Sequence, residues 1–289
     1  FETYGKFNIG ITAGIESDII TPEWIDGCNK MDLVIVPSEH SKTGLVQTIY
    51  DKVQKLPDGN QQKTGDHKII KPVEVLFEGI DVDTFKKVDY DNIDTKIFDK
   101  INNTIKEKFA FLFVGLWGKG DYGEDRKNIS TMIKVFYEAF ANKKKQPALI
   151  LKTNGAGFSI LDLEDIKNKI KTIKDRFPKN YKLPKIYILH GSLTPEEMND
   201  LYNHPKIKSM ISFTHGEGFG RPLLEFSMTG KPIIASNWSG QIDFLPKDHS
   251  ILLPGILNKV PKSAVWDKII AAESKWFYID ENKAYYALN

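Results

Sequence analysis

Short apolar runs alternate with longer amphipathic stretches in this chain, and this alternation restricts the fold more than any other feature. Such runs are typical of strands buried on both faces, and helical spacing between them is typical of helices that cover a sheet. The predicted strands are 7–13, 32–37, 72–77, 109–115, 148–152, 185–190, 209–214 and 232–235, and the predicted helices include 129–140, 162–176 and 195–203. The pattern predicts an α/β fold with parallel sheets and helices on both faces.

The predicted strands fall into two groups, which indicates two domains. Three strands precede residue 104 and five follow it, and a length of 289 residues also fits about two domains. We therefore predict a partial N-terminal Rossmann-like domain with its linker at 1–104 and a complete Rossmann-like domain at 105–289. We interpret 78–105 as the link, with some helix at its end, and the polar segment 57–71 as an exposed loop.

Composition excludes several classes of function. A net charge of +2 does not suggest nucleic acid as the main partner, and no run of 18 apolar residues is present to span a membrane. Cys28 is the one cysteine, so an internal disulfide is excluded, a small core residue is expected, and a reducing, cytoplasmic location is favoured. The chain begins at Phe1, only a few residues before its first predicted strand, which indicates a fragment of a longer protein.

The run HGEGFGRPLLEFSMTGKPIIAS at 215–236 most clearly indicates a binding site. It follows a predicted buried strand, and its three early glycines allow the turn to approach a ligand closely. Pro222 fits the first turn of the helix that follows, whose free N–H groups attract an anion such as a phosphate. Glu225 lies about one turn inside that helix and Glu217 lies on the loop. A strand, glycine-rich loop and helix occur in many α/β proteins, but a diphosphate with a sugar at each end would satisfy this arrangement.

The same run resembles the E-x7-E signature of retaining glycosyltransferases of family 4, which have the GT-B fold of two Rossmann-like domains. The two glutamates, the EGFG turn, Pro222 and the small-residue end of the helix match that signature in order. The resemblance spans most of 7–245 and is strongest at 109–130 and 186–236. It implies a hexosyltransferase that moves a sugar from a nucleotide-diphosphate sugar to a glycan, lipid or protein acceptor, without a metal ion or another cofactor.

The resemblance also implies roles for residues on the donor side. Glu217 would contact hydroxyls of the transferred sugar, and Glu225 would contact the ribose. Lys127 matches the family's lysine that contacts the donor phosphates, and we expect Glu217 and Lys127 to act in catalysis. The further donor-binding candidates are Arg126, Gly218, Phe219, Gly220, Arg221, Gly115, Gly191 and Ser192.

Some of these candidates also have a plain structural interpretation. Lys127 taken alone would be a solvated lysine at a helix start, and Arg221 would equally be a surface residue paired with a nearby acid. The family often has a second basic residue directly after the glycine of the preceding strand, but that position is Leu116 here. We expect Arg126, or Lys119 from the longer loop, to supply the charge.

The first domain is expected to bind the acceptor. Its segment 34–42 resembles the family's "vi.pSe..k" run. Many relatives have a histidine at the end of the strand that corresponds to 7–13, and this chain does not. The residues that could contact the acceptor on this side are Thr12, Glu16 and Ser38.

Two other functional hypotheses remain open. One is another GT-B enzyme, such as a sugar-nucleotide epimerase, and the other is a non-catalytic or incomplete module that binds a nucleotide sugar. A metal site at the D-x-D of Asp81 and Asp83 is not favoured, because the segment resembles the family's interdomain link, and a structural turn is predicted instead. Missing strands in the first domain would leave a sheet edge exposed, so we also expect pairing with another chain or a missing segment.

Overall fold

The computed structural model describes residues 2–57, 59–89, 96–118, 120, 122–155 and 157–289. Its strands are β1 (Ile9–Ile11), β2 (Leu33–Val36), β3 (Tyr50–Lys55), β4 (Gln61–His67), β5 (Val73–Val75), β6 (Ala110–Val114), β7 (Ala148–Lys152), β8 (Ile186–Leu189), β9 (Ile207–Ser212), β10 (Ile233–Ser236), β11 (Ser250–Leu253), β12 (Gly255–Lys259) and β13 (Lys275–Ile279). Its α-helices are α1 (Pro22–Asn29), α2 (Glu39–Gln47), α3 (Lys96–Thr104), α4 (Ile129–Phe140), α5 (Ile160–Lys174), α6 (Pro195–Asn203), α7 (Arg221–Ser227) and α8 (Glu281–Leu288).

The larger sheet has six parallel strands in the order β11-β10-β9-β6-β7-β8. Counted from β6, this is the doubly wound order in which the first and fourth strands lie side by side. The chain leaves these two strands in opposite directions, which opens a crevice at their carboxyl ends. The fold therefore places the loops after β6 and β9 next to each other.

Helices cover both faces of the larger sheet, as the sequence predicts. On one face, side chains from α4, α5 and α8 pack around Phe113 and Phe136. On the other face, side chains from α3, α6 and α7 pack around Leu112 and Phe226. The strands are apolar on both sides because both sides are buried. The predicted α/β architecture with parallel sheets is confirmed.

The smaller sheet has three parallel strands in the order β1-β2-β5. Val34, Val36 and Leu45 contribute to a core between this sheet and the helices α1 and α2, and Cys28 is fully buried there, as predicted. Ile9 and Ile11 on the edge strand β1 are 50% and 69% exposed. The expected pairing of this edge with another segment stays a prediction.

The polar segment 57–71 forms part of a hairpin, so the prediction of a loop there is wrong. β3 and β4 pair antiparallel with an irregularity between Lys52 and Val53. Most of their side chains are exposed, so neither face shows the alternation of apolar and polar residues that predicts a strand. Backbone hydrogen bonds supply the pairing here, and these leave no mark in the side-chain pattern.

Three strands of the second half were also not predicted. β11 extends the larger sheet at its edge, and β12 and β13 form an antiparallel hairpin. This region contacts the first domain: the Trp24 indole Nε1 donates to the Lys268 carbonyl at 3.0 Å, and the Lys275 backbone N–H donates to Asp18 at 2.6 Å. Exposed positions interrupt the apolar pattern of β11 and β12, whereas β13 is a mostly buried apolar run.

The helix predicted near the end of the link is α3, and it packs on the larger sheet. Ile97 and Ile101 are buried in the same core as Leu112. The domain boundary at residues 104 and 105 stays a prediction. No helix in the described part of the chain combines the length and apolar content needed to cross a membrane.

Candidate functional site

The loops after β6 and β9 meet at the crevice of the larger sheet. The first carries Arg126 and Lys127, and the second carries Glu217. The His215 backbone N–H donates to the Arg126 carbonyl at 2.8 Å, and the Thr214 hydroxyl donates to the same oxygen at 3.3 Å. These bonds fix the two loops against each other, although the residues are about ninety positions apart in the sequence.

Four charged side chains form a cluster at this point, which we call the charged cluster: Glu16, Arg126, Lys127 and Glu217. The Lys127 Nζ donates to Glu217 Oε1 at 2.5 Å, and the Arg126 Nη1 donates to Glu217 Oε2 at 3.2 Å. The Arg126 Nε lies 2.9 Å from Glu16 Oε2. The structure therefore joins the two predicted catalytic residues directly, and it adds Glu16 of the first domain through Arg126.

The cluster is partly removed from water. The side chains of Glu217 and Lys127 are 9% and 11% exposed, against 25% for Arg126 and 36% for Glu16. Burial raises the pKa of Glu217, but the positive charges of Lys127 and Arg126 lower it by more. The net pKa of Glu217 therefore lies below the ordinary value. For Glu16, burial is the largest effect and the pKa is raised, although Arg126 opposes the rise. Glu217 is thus a buried carboxylate that stays ionised.

Glu225 occupies a different position, one turn into α7. It is half-buried, and the hydroxyl of the fully buried Tyr202 donates to its Oε2 at 2.8 Å. Burial raises the pKa of Glu225, and the bond from Tyr202 opposes this. Tyr202 lies on α6, and nothing in its sequence context distinguished it from an ordinary core residue. It fixes one oxygen of Glu225, and no hydrogen bond to the other oxygen is found among the residues that the structure describes.

The glycine-rich turn lies directly against the first domain. A Cβ at Gly218 would lie 2.2 Å from the Ala13 carbonyl oxygen, and one at Gly216 would lie 2.0 Å from the Glu16 carbonyl oxygen. The Ser38 hydroxyl donates to the Gly218 carbonyl at 2.5 Å. Glycine is required here for close approach of two backbones, and the partner is the first domain itself.

Phe219, Gly220 and Arg221 connect this turn to α7. Phe219 is buried, and Gly220 has a φ of +98°, a left-handed conformation that starts the helix at Arg221. The Arg221 guanidinium donates through Nε and Nη2 to one oxygen of Glu78, at 3.0 and 2.6 Å. Arg221 therefore pairs with an acid of the interdomain link, as its structural interpretation predicted, and its role toward a phosphate is untested.

The remaining donor candidates follow β6 and β8, the two strands that flank β7 in the larger sheet. Gly115 follows β6, and a Cβ there would lie 3.4 Å from the Lys127 Cε, so this glycine leaves space for the lysine side chain. Gly191 follows β8 with a φ of +104°, and its carbonyl accepts a bond from the Lys152 Nζ at 2.6 Å. Ser192 is exposed beside it. Lys119 lies outside the described residues.

The acceptor-side candidates have different environments. Ser38 is fully buried and donates its hydroxyl to the glycine-rich turn, so it has a structural task. The Thr12 backbone N–H donates to the Ile35 carbonyl at 3.2 Å, and the structure does not bring its side chain into the charged cluster. Glu16 is the first-domain candidate that does enter the cluster.

Asp81 of the D-x-D accepts bonds from the backbone N–H groups of Asp83 and Thr84 and from the Thr84 hydroxyl. This is the predicted structural turn, with the carboxylate satisfied locally. Among the described residues, no group of three or more His, Cys, Asp or Glu side chains is placed to bind a metal ion.

Two open cavities lie away from the charged cluster. One, of about 850 Å³, is lined by residues at the start of β10 and β11, and the other, of about 670 Å³, by residues just before β6 and β7. Both are at the amino ends of the strands. We assign the candidate site to the carboxyl ends, because the buried charges and the loops after β6 and β9 meet there.

Comparison with known proteins supports the fold. No protein-family model and no curated protein sequence matches this chain. Solved structures do match it. Sucrose-phosphate synthase from Thermosynechococcus elongatus matches at a TM-score of 0.57 and 17% identity, and the match covers 92% of this chain and 50% of the synthase. HepE from Anabaena, in complex with UDP and glucose, matches at a TM-score of 0.53 and 16% identity, with 82% of this chain covering 55% of it.

A third match is trehalose-phosphate synthase from Burkholderia xenovorans, in complex with glucose-6-phosphate. The TM-score is 0.55 at 12% identity, with 80% of this chain covering 52% of that one. The chain thus spans about half the length of the structures it matches. The GT-B fold predicted from the sequence is confirmed, because these neighbours share that fold.

Proposed function

We propose that this chain is part of a retaining glycosyltransferase of family 4, which moves a hexose from a nucleotide-diphosphate sugar to a hydroxyl acceptor without a metal ion. The observation that carries the proposal is Glu217, a buried carboxylate on the glycine-rich turn that bonds to both Lys127 and Arg126. In the crevice of a doubly wound sheet, the two cations would neutralise a diphosphate, and the carboxylate would accept hydrogen bonds from the hydroxyls of the attached sugar. One buried cysteine favours the cytoplasm as the location.

The charges fit the chemistry of transfer. As the bond between the anomeric carbon and the phosphate oxygen breaks, negative charge develops on the diphosphate, and Lys127 and Arg126 stabilise it. The acceptor oxygen forms its bond to the anomeric carbon on the same face, and its proton passes to the departing diphosphate. Glu217 accepts hydrogen bonds from the sugar hydroxyls and stabilises the positive charge that develops on the sugar ring.

Glu225 is proposed to bind the ribose of the nucleotide. Its free oxygen accepts a hydrogen bond from a ribose hydroxyl, while Tyr202 fixes the other oxygen. Gly191 and Ser192 at the end of β8 are proposed to lie beside the base, where the backbone and a small side chain leave room for a ring. Arg221 is proposed to contribute to the phosphates after it leaves Glu78.

A thermal-shift screen against UDP-, GDP- and ADP-linked sugars, with and without a chelator, tests the proposal. A ligand that binds only the folded state raises the melting temperature by an amount that depends on concentration over affinity. We expect a shift with one nucleotide family, unchanged by chelator and lost in Glu225→Ala. Glu164→Gln, an exposed change on α5, is the matched control and retains the shift.

Turnover then distinguishes the proposed enzyme from its alternatives. Release of a nucleoside diphosphate from the bound donor, abolished by Glu217→Gln, supports transfer. Binding without release of the diphosphate supports a non-catalytic module, and conversion of the bound sugar without its release supports an epimerase. No shift with any nucleotide sugar contradicts the donor site.

A further inference from the structure

Glu16 brings a first-domain carboxylate into the charged cluster. Its Oε2 lies 2.9 Å from the Arg126 Nε, while the Arg126 Nη1 bonds to Glu217 at 3.2 Å. One guanidinium therefore joins carboxylates from the two domains. Arg126 also donates to the Gly216 carbonyl at 3.0 Å, which fixes its orientation from the side of the second domain.

The backbone of Glu16 is fixed in place as well. Its carbonyl oxygen lies 2.0 Å from the position that a Cβ of residue 216 would take, and only glycine at that position permits this approach. On the other side, the Ile15 N–H donates to the Ser41 hydroxyl at 3.1 Å in a buried contact. Glu16 is thus a side chain that the fold holds at the crevice.

The charge balance of the cluster changes when a diphosphate enters. Two carboxylates and two cations sum to zero, and a diphosphate adds about two negative charges that need the same cations. Glu217 retains Lys127 when Arg126 turns to the phosphates. Glu16 has no ion-pair partner other than Arg126 among the described residues, and it is the more exposed carboxylate. It is therefore the group that Arg126 releases at least cost.

We propose that the donor diphosphate displaces Glu16 from Arg126, and that the released Glu16 then accepts a hydrogen bond from the attacking hydroxyl of the acceptor. The inference rests on the proposed function, because the diphosphate is the donor's. In this role Glu16 orients the hydroxyl oxygen toward the anomeric carbon. The C–O bond forms as the bond to the diphosphate breaks, and in this step the hydroxyl hydrogen turns from Glu16 to the departing diphosphate oxygen, which takes the proton.

Glu16→Gln tests this with two measurements that should move in opposite directions. The variant has no carboxylate to compete for Arg126. By calorimetry, the nucleoside diphosphate that the parent binds (UDP, GDP or ADP) should therefore bind the variant roughly two- to fivefold more tightly. Release of the nucleoside diphosphate from its sugar nucleotide, with water as acceptor, should fall about tenfold or more, because the attacking oxygen is not oriented. Glu16→Asp should retain part of the turnover.

Glu74→Gln is the matched control, since Glu74 forms a first-domain ion pair with Lys42 at 2.9 Å away from the cluster. It should change neither measurement. A merely structural role of Glu16 would weaken binding and turnover together, and that result would overturn the inference. Unchanged values for Glu16→Gln would overturn it as well.

The unmodified protein provides a second test. The side-chain carboxyl of Glu16, followed by NMR in protein with ¹³C-labelled glutamate, should titrate at a higher pKa when the nucleoside diphosphate is bound, because Arg126 no longer lowers it. A pKa that does not rise overturns the inference. If Glu217→Gln abolishes turnover while Glu16→Gln behaves as the parent, the proposed function stands and this inference fails. If no diphosphate binds the parent, both fail.

Discussion

Replacement of Lys127 by methionine removes one of the two cations that stabilise Glu217. Methionine keeps most of the side-chain length, whereas Glu217, with 9% of its side chain exposed, retains only Arg126 at 3.2 Å. Breaking a buried ion pair by removing one partner costs about 3–5 kcal/mol when nothing else compensates. Because Arg126 remains, we expect the free energy of unfolding to fall by about 2–3 kcal/mol. For a chain of this size, the melting temperature should drop by about 5–10 °C.

The deficit should depend on pH. The pKa of Glu217 lies below its ordinary value, since Lys127 and Arg126 outweigh the effect of burial. Its contribution to stability is therefore present above the unfolded pKa of about 4.3 and is lost as the pH falls through the lower folded pKa. Without Lys127, burial should raise the folded pKa, and protonation then stabilises the variant. The difference between parent and variant should be large near pH 7 and small near pH 4.

Circular dichroism melting curves of the parent and Lys127→Met at these two pH values provide the test. Lys134→Met is the control, because Lys134 also forms an ion pair at 2.5 Å, with Glu281, but is one-third exposed. We expect the control to lose less than about 1 kcal/mol. A Lys127→Met melting temperature equal to that of the control at neutral pH, or a deficit that grows in acid, would refute the reasoning.

Three further predictions concern the surroundings of the site. Tyr202→Phe removes the hydroxyl that donates to Glu225, and it should weaken nucleotide binding about fivefold, as measured by calorimetry, with little change in fold. Equal binding by the parent and the variant would show that this hydrogen bond does not position Glu225. Gly218→Ala places a Cβ against first-domain backbone and should lower the melting temperature by several degrees, whereas Gly79→Ala, in open space, should not. Burial raises the pKa of Cys28 to about 11, so iodoacetamide near pH 8 should label this thiol only after unfolding, and mass spectrometry of folded protein would reveal any earlier labelling.

Much of the fold could be predicted because local patterns and tertiary packing agree. α4 spans the residues that its helical spacing indicates, and α6 begins at Pro195 after Thr194, which forms a capping box with Glu197. The β3–β4 hairpin could not be predicted, because its side chains are polar on both faces and no buried surface imposes a period of two.

The candidate site was predicted as a set of residues but not as a geometry. The sequence indicates that Lys127 and Glu217 follow strand ends, and parallel strands place such ends at one edge of a sheet. The bond between them depends on which strands are neighbours, which the sequence does not specify. The contacts of Tyr202 and Glu78 could not be predicted either, since each is an ordinary residue whose partner is fixed by tertiary structure.

The location of the charged cluster follows from two independent features of the chain. In the larger sheet, the chain leaves β6 and β9 in opposite directions, which opens the crevice. The first domain closes one side of that crevice with backbone, because glycine at residues 216 and 218 permits residues 13–16 to come close. Arg126 then lies within hydrogen-bond distance of carboxylates from both domains. An anion that binds Arg126 would therefore also change the contact between the two domains. Under the proposed function, binding of the donor would therefore alter the contact of Arg126 with Glu16 of the first domain.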